Sequence, residues 1–107
     1  PYVCIMKFEW NPEKARENYR KHGISFEEAT FVFSDEFGLE EYDSNHSTFE
    51  ETRYSRIGLA ADGILYVVYT TRDPNEDLIR LISARKADRS ERHLYIKERY
   101  GRERIGD

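Results

Sequence analysis

The sequence predicts a single α+β domain, with elements in the order β-α-α-β-β-β(-β)-α and an antiparallel, curved sheet packed by helices. Three observations predict it. Two helix starts with a stop between them fill the first third of the chain. Alternating runs joined by turns fill the middle. A further helix start follows the last of those runs.

Residues 4–10 read as the first strand, with Pro1 to Ile5 either an extension ahead of Met6 or a lengthening of that strand. Asn11 is suited to cap a helix and Pro12 to occupy its first position. That helix runs through Lys14, Ala15, Tyr19 and His22 and stops at Gly23, a residue fitted to the left-handed C-terminal position. Ser25 with Glu28 forms a capping box. Phe26, Ala29, Thr30 and Phe33 then recur at helical spacing, and the second helix ends near Ser34-Asp35. Leu39 to Asp43 is a short strand and Ser44 to Glu51 a polar loop. Tyr54 to Leu59 and Ile64 to Thr71 are strands joined through Ala61-Asp62-Gly63, a hairpin signal. The second of these is apolar on both faces, which places it mid-sheet. Asp73-Pro74-Asn75-Glu76-Asp77 makes a turn, Leu78 to Ser83 the last strand, and Asp88 with Glu91 launches a C-terminal helix through Leu94, Tyr95 and Tyr100. Residues 101–107 read as a flexible tail.

The 107 residues suffice for one modest core, so one domain is expected over 1–107. Charged residues reach 36%, and six Phe, eight Tyr and one Trp must supply much of the buried area. No apolar run approaches the roughly 18 residues that would span a bilayer, so no membrane partner is expected. The lone Cys4 permits no internal disulfide, which points to a reducing cytoplasm. Net charge is −4, yet it is polarised. Residues 1–51 hold five Lys/Arg against twelve Asp/Glu, whereas Leu78 to Ile105 hold nine against four. A solvated helix face is a commoner origin of such a basic run than a nucleic-acid contact.

There is no glycine-rich phosphate loop, no paired His or Cys at metal-ligand spacing and no nucleophile elbow. No cofactor and no metal are therefore expected. Arginines at strand ends remain. Arg72 follows Thr70-Thr71 with the parity of Tyr66, Val68 and Thr70, and Arg85 has the parity of Ile79, Leu81 and Ser83. Antiparallel pairing puts Arg72 beside Leu78 and Arg80 and sends Arg85 toward the other end of that ladder. Only a strongly curved sheet or a bulge would bring the two together. Arg72 is equally readable as a surface cation balancing Asp73 or Asp77, whereas His22 reads more readily as a helix-end residue and Trp10 as a core anchor than as a base-stacking ring.

Phe8-Glu9-Trp10-Asn11-Pro12-x-Lys14, Asn18 and Lys21-His22-Gly23-Ile24-Ser25-Phe26-Glu27-Glu28-Ala29 form one signature. Ile82-Ser83-Ala84-Arg85-Lys86-Ala87 with Glu91-Arg92 and Tyr95 forms a second. Occurring together, they resemble the BrnT toxins of bacterial type II toxin–antitoxin pairs. The resemblance implies a RelE-like fold and a metal-independent endoribonuclease. Its partners would be RNA and a BrnA-like ribbon-helix-helix antitoxin, with operator DNA reached only through that antitoxin. It also implies that Arg72 and Arg85 are catalytic.

Cleavage without metal uses the 2′-hydroxyl as nucleophile on the adjacent phosphate, and guanidinium donors can meet the charge that builds on its oxygens. Arginine is a poor proton acceptor, so His22 joins the expected catalytic set, with Lys21, Glu91, His93 and Tyr95 as further candidates for acid and base. Lys21, Arg80, Arg89, Arg92 and Tyr95 are the expected RNA contacts. The competing reading is a non-catalytic module that binds a partner protein and acts with it as co-repressor. The acidic overall charge favours that second reading.

Overall fold

The computed structural model describes residues 6–71 and 77–105, the last four by backbone alone. Its elements are β1 (Lys7–Glu9), α1 (Pro12–His22), α2 (Phe26–Ala29), β2 (Leu39–Tyr42), β3 (Tyr54–Ala60), β4 (Gly63–Thr71), β5 (Leu78–Lys86) and α3 (Arg89–Ile105). The five strands form one sheet in the order β1-β5-β4-β3-β2. The α+β class and element order are as the sequence predicts. One correction concerns the sheet, which is mixed: β1 lies parallel to β5, with Lys7 opposite Leu78 and Glu9 opposite Arg80. A parallel neighbour needs a long crossover, and here everything from α1 to β4 separates the two strands.

The helix signals act locally. Asn11 Oδ1 accepts from the Glu13 and Lys14 amides at 2.8 and 3.3 Å, and Gly23 (φ 73°) donates its amide to Tyr19 O at 2.8 Å. Ser25 Oγ accepts from the Glu28 amide at 3.1 Å. The second helix is shorter than its periodicity suggests. After one α turn it tightens into a 3₁₀ turn over Thr30–Ser34. The run Thr30-Phe31-Val32-Phe33 consists of β-branched and aromatic residues, which hold an α-helix weakly. The tightening brings Val32 against β3, where a Cβ added at Gly58 would lie 2.8 Å from Val32 Cβ and 3.0 Å from its carbonyl oxygen. Gly58→Ala is expected to cost about 1–3 kcal/mol through this overlap, read as a lower urea midpoint with an unchanged m-value.

Helices and sheet enclose Ile24, Phe26, Ala29, Val32, Leu65, Val67, Tyr69, Ile79, Leu81 and Ala84. Trp10 packs edge-on against Phe26 with ring centroids 5.9 Å apart, as an anchor beneath α1. Asn18 is the one buried residue of α1. Its side-chain amide donates to Ile24 O (3.0 Å) and Ala84 O (2.8 Å), and its Oδ1 accepts from the Ala84 amide (3.0 Å). β1 ends opposite Arg80, so Asn18 stands in for a neighbouring strand where that edge of β5 would otherwise lack one.

The β4–β5 ladder contains the irregularity that sets the functional face. Val68 lies opposite Ser83 but Tyr69 opposite Leu81, so Ile82 is an extra residue and the strand bulges. The bulge lets Leu81 and Ala84 both face the core. It also reverses the expected parity of Arg85, which lies opposite Tyr66 rather than among the core-facing residues.

α3 is held by Tyr95, which is 2% exposed and donates its hydroxyl to Asp35 Oδ2 at 2.5 Å, and by Arg99 over the Phe37 ring at 5.0 Å. The helix continues through Gly101 to Ile105. Among the described residues no helix is long and apolar enough to cross a membrane.

Candidate functional site

Side chains alternate along β4, so Leu65, Val67 and Tyr69 enter the core while Tyr66, Val68 and Thr70 point to the opposite face. The bulge adds Ser83 and Arg85 to that face, and Arg80 joins it opposite Thr70. The loop between β2 and β3 closes one side. The result is a hollow of about 260 Å³ lined by Asp43, His46, Arg53, Tyr66, Val68, Ile82, Ser83 and Arg85.

Arg85 is its best-defined group. Its guanidinium carbon lies 4.2 Å from the centroid of the Tyr66 ring. Nη1 and Nη2 donate to the two carboxylate oxygens of Glu91 at 2.8 and 2.9 Å, and Nη1 also donates to Lys86 O at 3.1 Å. Glu91 is itself fixed, because Oε1 accepts from the Asp88 amide at 2.9 Å while Asp88 Oδ1 accepts from the Glu91 amide at 2.8 Å. This is the capping box read from Asp88 and Glu91, here extended by a bound arginine. The Glu91 hydrogen bonds raise the Arg85 pKa against the opposing effect of burial. The carboxylate takes one edge of the guanidinium. The other edge, Nε with the second Nη2 hydrogen, has no partner among the described residues.

The loop wall is tied by its own hydrogen bonds. The Asp43 amide donates to Arg53 O at 2.9 Å, Ser47 Oγ donates to Asp43 O at 2.6 Å, and the Arg53 amide donates to Ser47 Oγ at 2.8 Å. Arg53 Nε pairs with Glu51 at 2.8 Å. Asp43 and His46 are joined by a 2.8 Å contact between Oδ2 and Nδ1. Nothing in the hydrophobic periodicity announces these residues, since they fall in the polar loop. The available signal is an Asp three residues ahead of a His, a spacing that favours a local side-chain turn.

The sequence-derived residues are placed as follows. Arg72 lies outside the described residues. Arg80 is on the site face, 3.4 Å from Glu9. Lys21 and His22 are exposed on the last turn of α1, one turn beyond the Asn18 clamp to Ala84. Arg89, Arg92 and His93 are exposed on the first turns of α3. Tyr95 is buried, with its hydroxyl on Asp35. Among the described residues no group of three or more His, Cys, Asp and Glu could hold a metal ion.

A larger groove, about 750 Å³, lies beside α3 and includes Phe31, Asp35, Phe37, Leu59 and Arg99. Its acid is structural. Burial pushes the Asp35 carboxyl up, but the Tyr95 hydroxyl, the Leu59 and Phe37 amides and the Arg99 charge together hold it below the usual aspartate value. A depressed folded pKa adds stability above the unfolded carboxyl's range, and that stability is lost as pH falls through the folded value. Tyr95→Phe is therefore expected to cost about 1.5–3 kcal/mol near neutrality and to shrink the stability lost on acidification, measured by urea midpoints at neutral and acid pH.

A family model described as "Ribonuclease toxin, BrnT, of type II toxin-antitoxin system" matches residues 10–91. Among solved structures, the crystal structure of the Brucella abortus ribonuclease toxin, BrnT, superposes with a TM-score of 0.55 at 23% identity. The match covers 78% of this chain and 99% of that one, and at this identity it is a likeness of fold. No protein among the curated sequences matches.

Proposed function

The chain belongs to the BrnT family, ribonuclease toxins of type II toxin–antitoxin systems, and from that membership we propose that it is an endoribonuclease needing no metal ion. In this reading the substrate 2′-oxygen bonds to the adjacent phosphorus, the bond from phosphorus to the 5′-oxygen breaks, and the products are a 2′,3′-cyclic phosphate and a 5′-hydroxyl. The scissile phosphate sits over the open face of β4 and β5. The observation that carries the proposal is the bulge at Ile82, which directs Arg85 out of the core parity and onto Tyr66, with one guanidinium edge unpartnered among the described residues. A guanidinium edge donates two parallel hydrogen bonds to phosphate oxygens, and the ring beneath it limits its motion.

Arg72 and His22 enter the proposal from the sequence as the second phosphate ligand and a proton carrier, with Lys21, Arg80, Arg89 and Arg92 contacting the flanking backbone. A type II toxin has an antitoxin partner. We take that partner to be a BrnA-like ribbon-helix-helix protein that carries the complex to operator DNA. The test is incubation of the purified chain with RNA in EDTA, followed by analysis of the product ends. Cyclic phosphate termini support the mechanism, and cleavage only on adding a divalent ion rejects its metal independence.

One observation favours the second reading, a docking and co-repressing module. Arg53, Arg80 and Arg85 on this face each have a carboxylate partner in Glu51, Glu9 and Glu91. A chain that cleaves no RNA under any condition but strengthens operator binding by its antitoxin would establish that reading instead.

A further inference from the structure

Resting on the ribonuclease reading, we propose that His46, oriented by Asp43, is the base that removes the proton from the attacking 2′-hydroxyl. The two residues lie in the same hollow as Arg85, on the wall formed by the β2–β3 loop. Asp43 grips His46 twice: Oδ1 accepts from its backbone amide at 3.2 Å and Oδ2 contacts ring Nδ1 at 2.8 Å. An ionised carboxylate only accepts hydrogen bonds, so Nδ1 carries the proton and Nε2 is the basic nitrogen. The Asp43 side chain is 10% exposed and the imidazole 66%, so the orienting group is sheltered while the ring remains accessible.

A loop-stabilising role alone does not account for this arrangement. The turn needs only Oδ1 and the backbone amide of residue 46, which any amino acid supplies. The second oxygen, spent on the ring, fixes the tautomer and heading of an imidazole. The other charged or titratable groups lining the hollow are Arg53, Tyr66 and Arg85, with Glu51 and Glu91 behind the two arginines. Among the described lining residues His46 is thus the one imidazole, and its Nε2 is the ring nitrogen left open to accept a proton.

The step balances as follows. His46 Nε2 takes the 2′-hydroxyl proton as the 2′-oxygen bonds to phosphorus. The bond to the 5′-oxygen breaks, and that oxygen takes a proton delivered through His22, the carrier named above. Solvent then passes the proton held by His46 back to His22, so both side chains end as they began. Asp43 never touches substrate and is a positioning residue.

The experiment compares the wild-type chain, His46→Ala and Asp43→Asn on a labelled RNA oligonucleotide in EDTA, as kcat and KM across pH, with melting temperatures as fold controls. His46→Ala is expected to lower kcat about 100-fold or more with KM changed less than about threefold. Added imidazole should restore part of the rate, and the pH limb due to the base should vanish. Asp43→Asn should lose about 10-fold and keep a displaced limb. Cleavage by His46→Ala within about threefold of wild type overturns this inference alone, as does a loss that imidazole leaves unrestored. A wild-type chain that cleaves no RNA overturns this inference together with the ribonuclease reading.

Discussion

Arg85→Ala is expected to lower RNA cleavage by about 10³-fold and to release the growth arrest caused by expressing the chain. Removing a single preorganised donor from a site of developing negative charge costs about 10²–10³-fold, and Arg85 offers two donors along the edge turned away from Glu91 together with a full charge. The expected loss falls on kcat, because charge on the phosphate oxygens is greatest in the transition state. The substitution is informative because it spares the fold. Glu91 keeps the Asp88 amide and its capping role after the arginine is gone, so the cost in stability should be about 1–2 kcal/mol. Arg85→Lys separates charge from geometry. A lysine ammonium keeps the positive charge but cannot present two parallel donors or lie flat on Tyr66, so at least 10-fold of the loss should remain. Undiminished cleavage by Arg85→Ala would remove this guanidinium from the mechanism, and equal loss of melting temperature and rate would show it to be structural.

The same arginine marks the boundary of what the sequence discloses. Local signals were legible because each depends on a few neighbouring residues: Asn11 and Pro12 opening α1, Gly23 closing it, Ser25 and Glu28 opening α2, Asp88 and Glu91 opening α3. Ala61-Asp62-Gly63 turned the β3–β4 hairpin for the same reason, with Ala60 opposite Gly63. The bulge at Ile82 was not legible. Leu81, Ile82, Ser83 and Ala84 fit an uninterrupted strand, and only the need to bring both Leu81 and Ala84 against the helices selects the irregular register. A strict period of two sends Arg85 to the core side, whereas the folded sheet sends it to the open side. The Asp43–His46 pair escaped for a different reason, since a non-periodic loop gives no facing direction to its side chains. Nor does charge patterning along the chain reveal that Glu9, Glu51 and Glu91 each meet an arginine on the site face, because Glu9 finds Arg80 only through the parallel pairing of β1. Asn18 belonged to the family signature without an evident role. Its role is tertiary, fixed by the place where β1 stops.

Asn18→Ala is expected to destabilise the protein by about 3 kcal/mol. Three backbone groups depend on this one side chain: Ile24 O, Ala84 O and the Ala84 amide, with Ala84 fully buried. Alanine removes all three partners at once and leaves a space lined by polar backbone. Each abandoned group costs about 1–3 kcal/mol if dry and less where water enters. Asn18→Asp is the sharper test. A carboxylate still accepts from the Ala84 amide but meets two carbonyl oxygens to which it cannot donate, so near neutrality this variant should be less stable than Asn18→Ala. Burial among carbonyls raises the folded-state pKa of such an aspartate, and protonation restores one donor. Its stability should therefore recover as pH falls through that raised value, opposite in sign to the acid dependence that Asp35 gives the native chain. Because the clamp also fixes the end of α1 beside β5, cleavage by Asn18→Ala should fall even at temperatures where the variant stays folded. A variant that unfolds like the native chain would mean that β5 needs no partner beyond Arg80, and α1 would then be held by its apolar contacts alone.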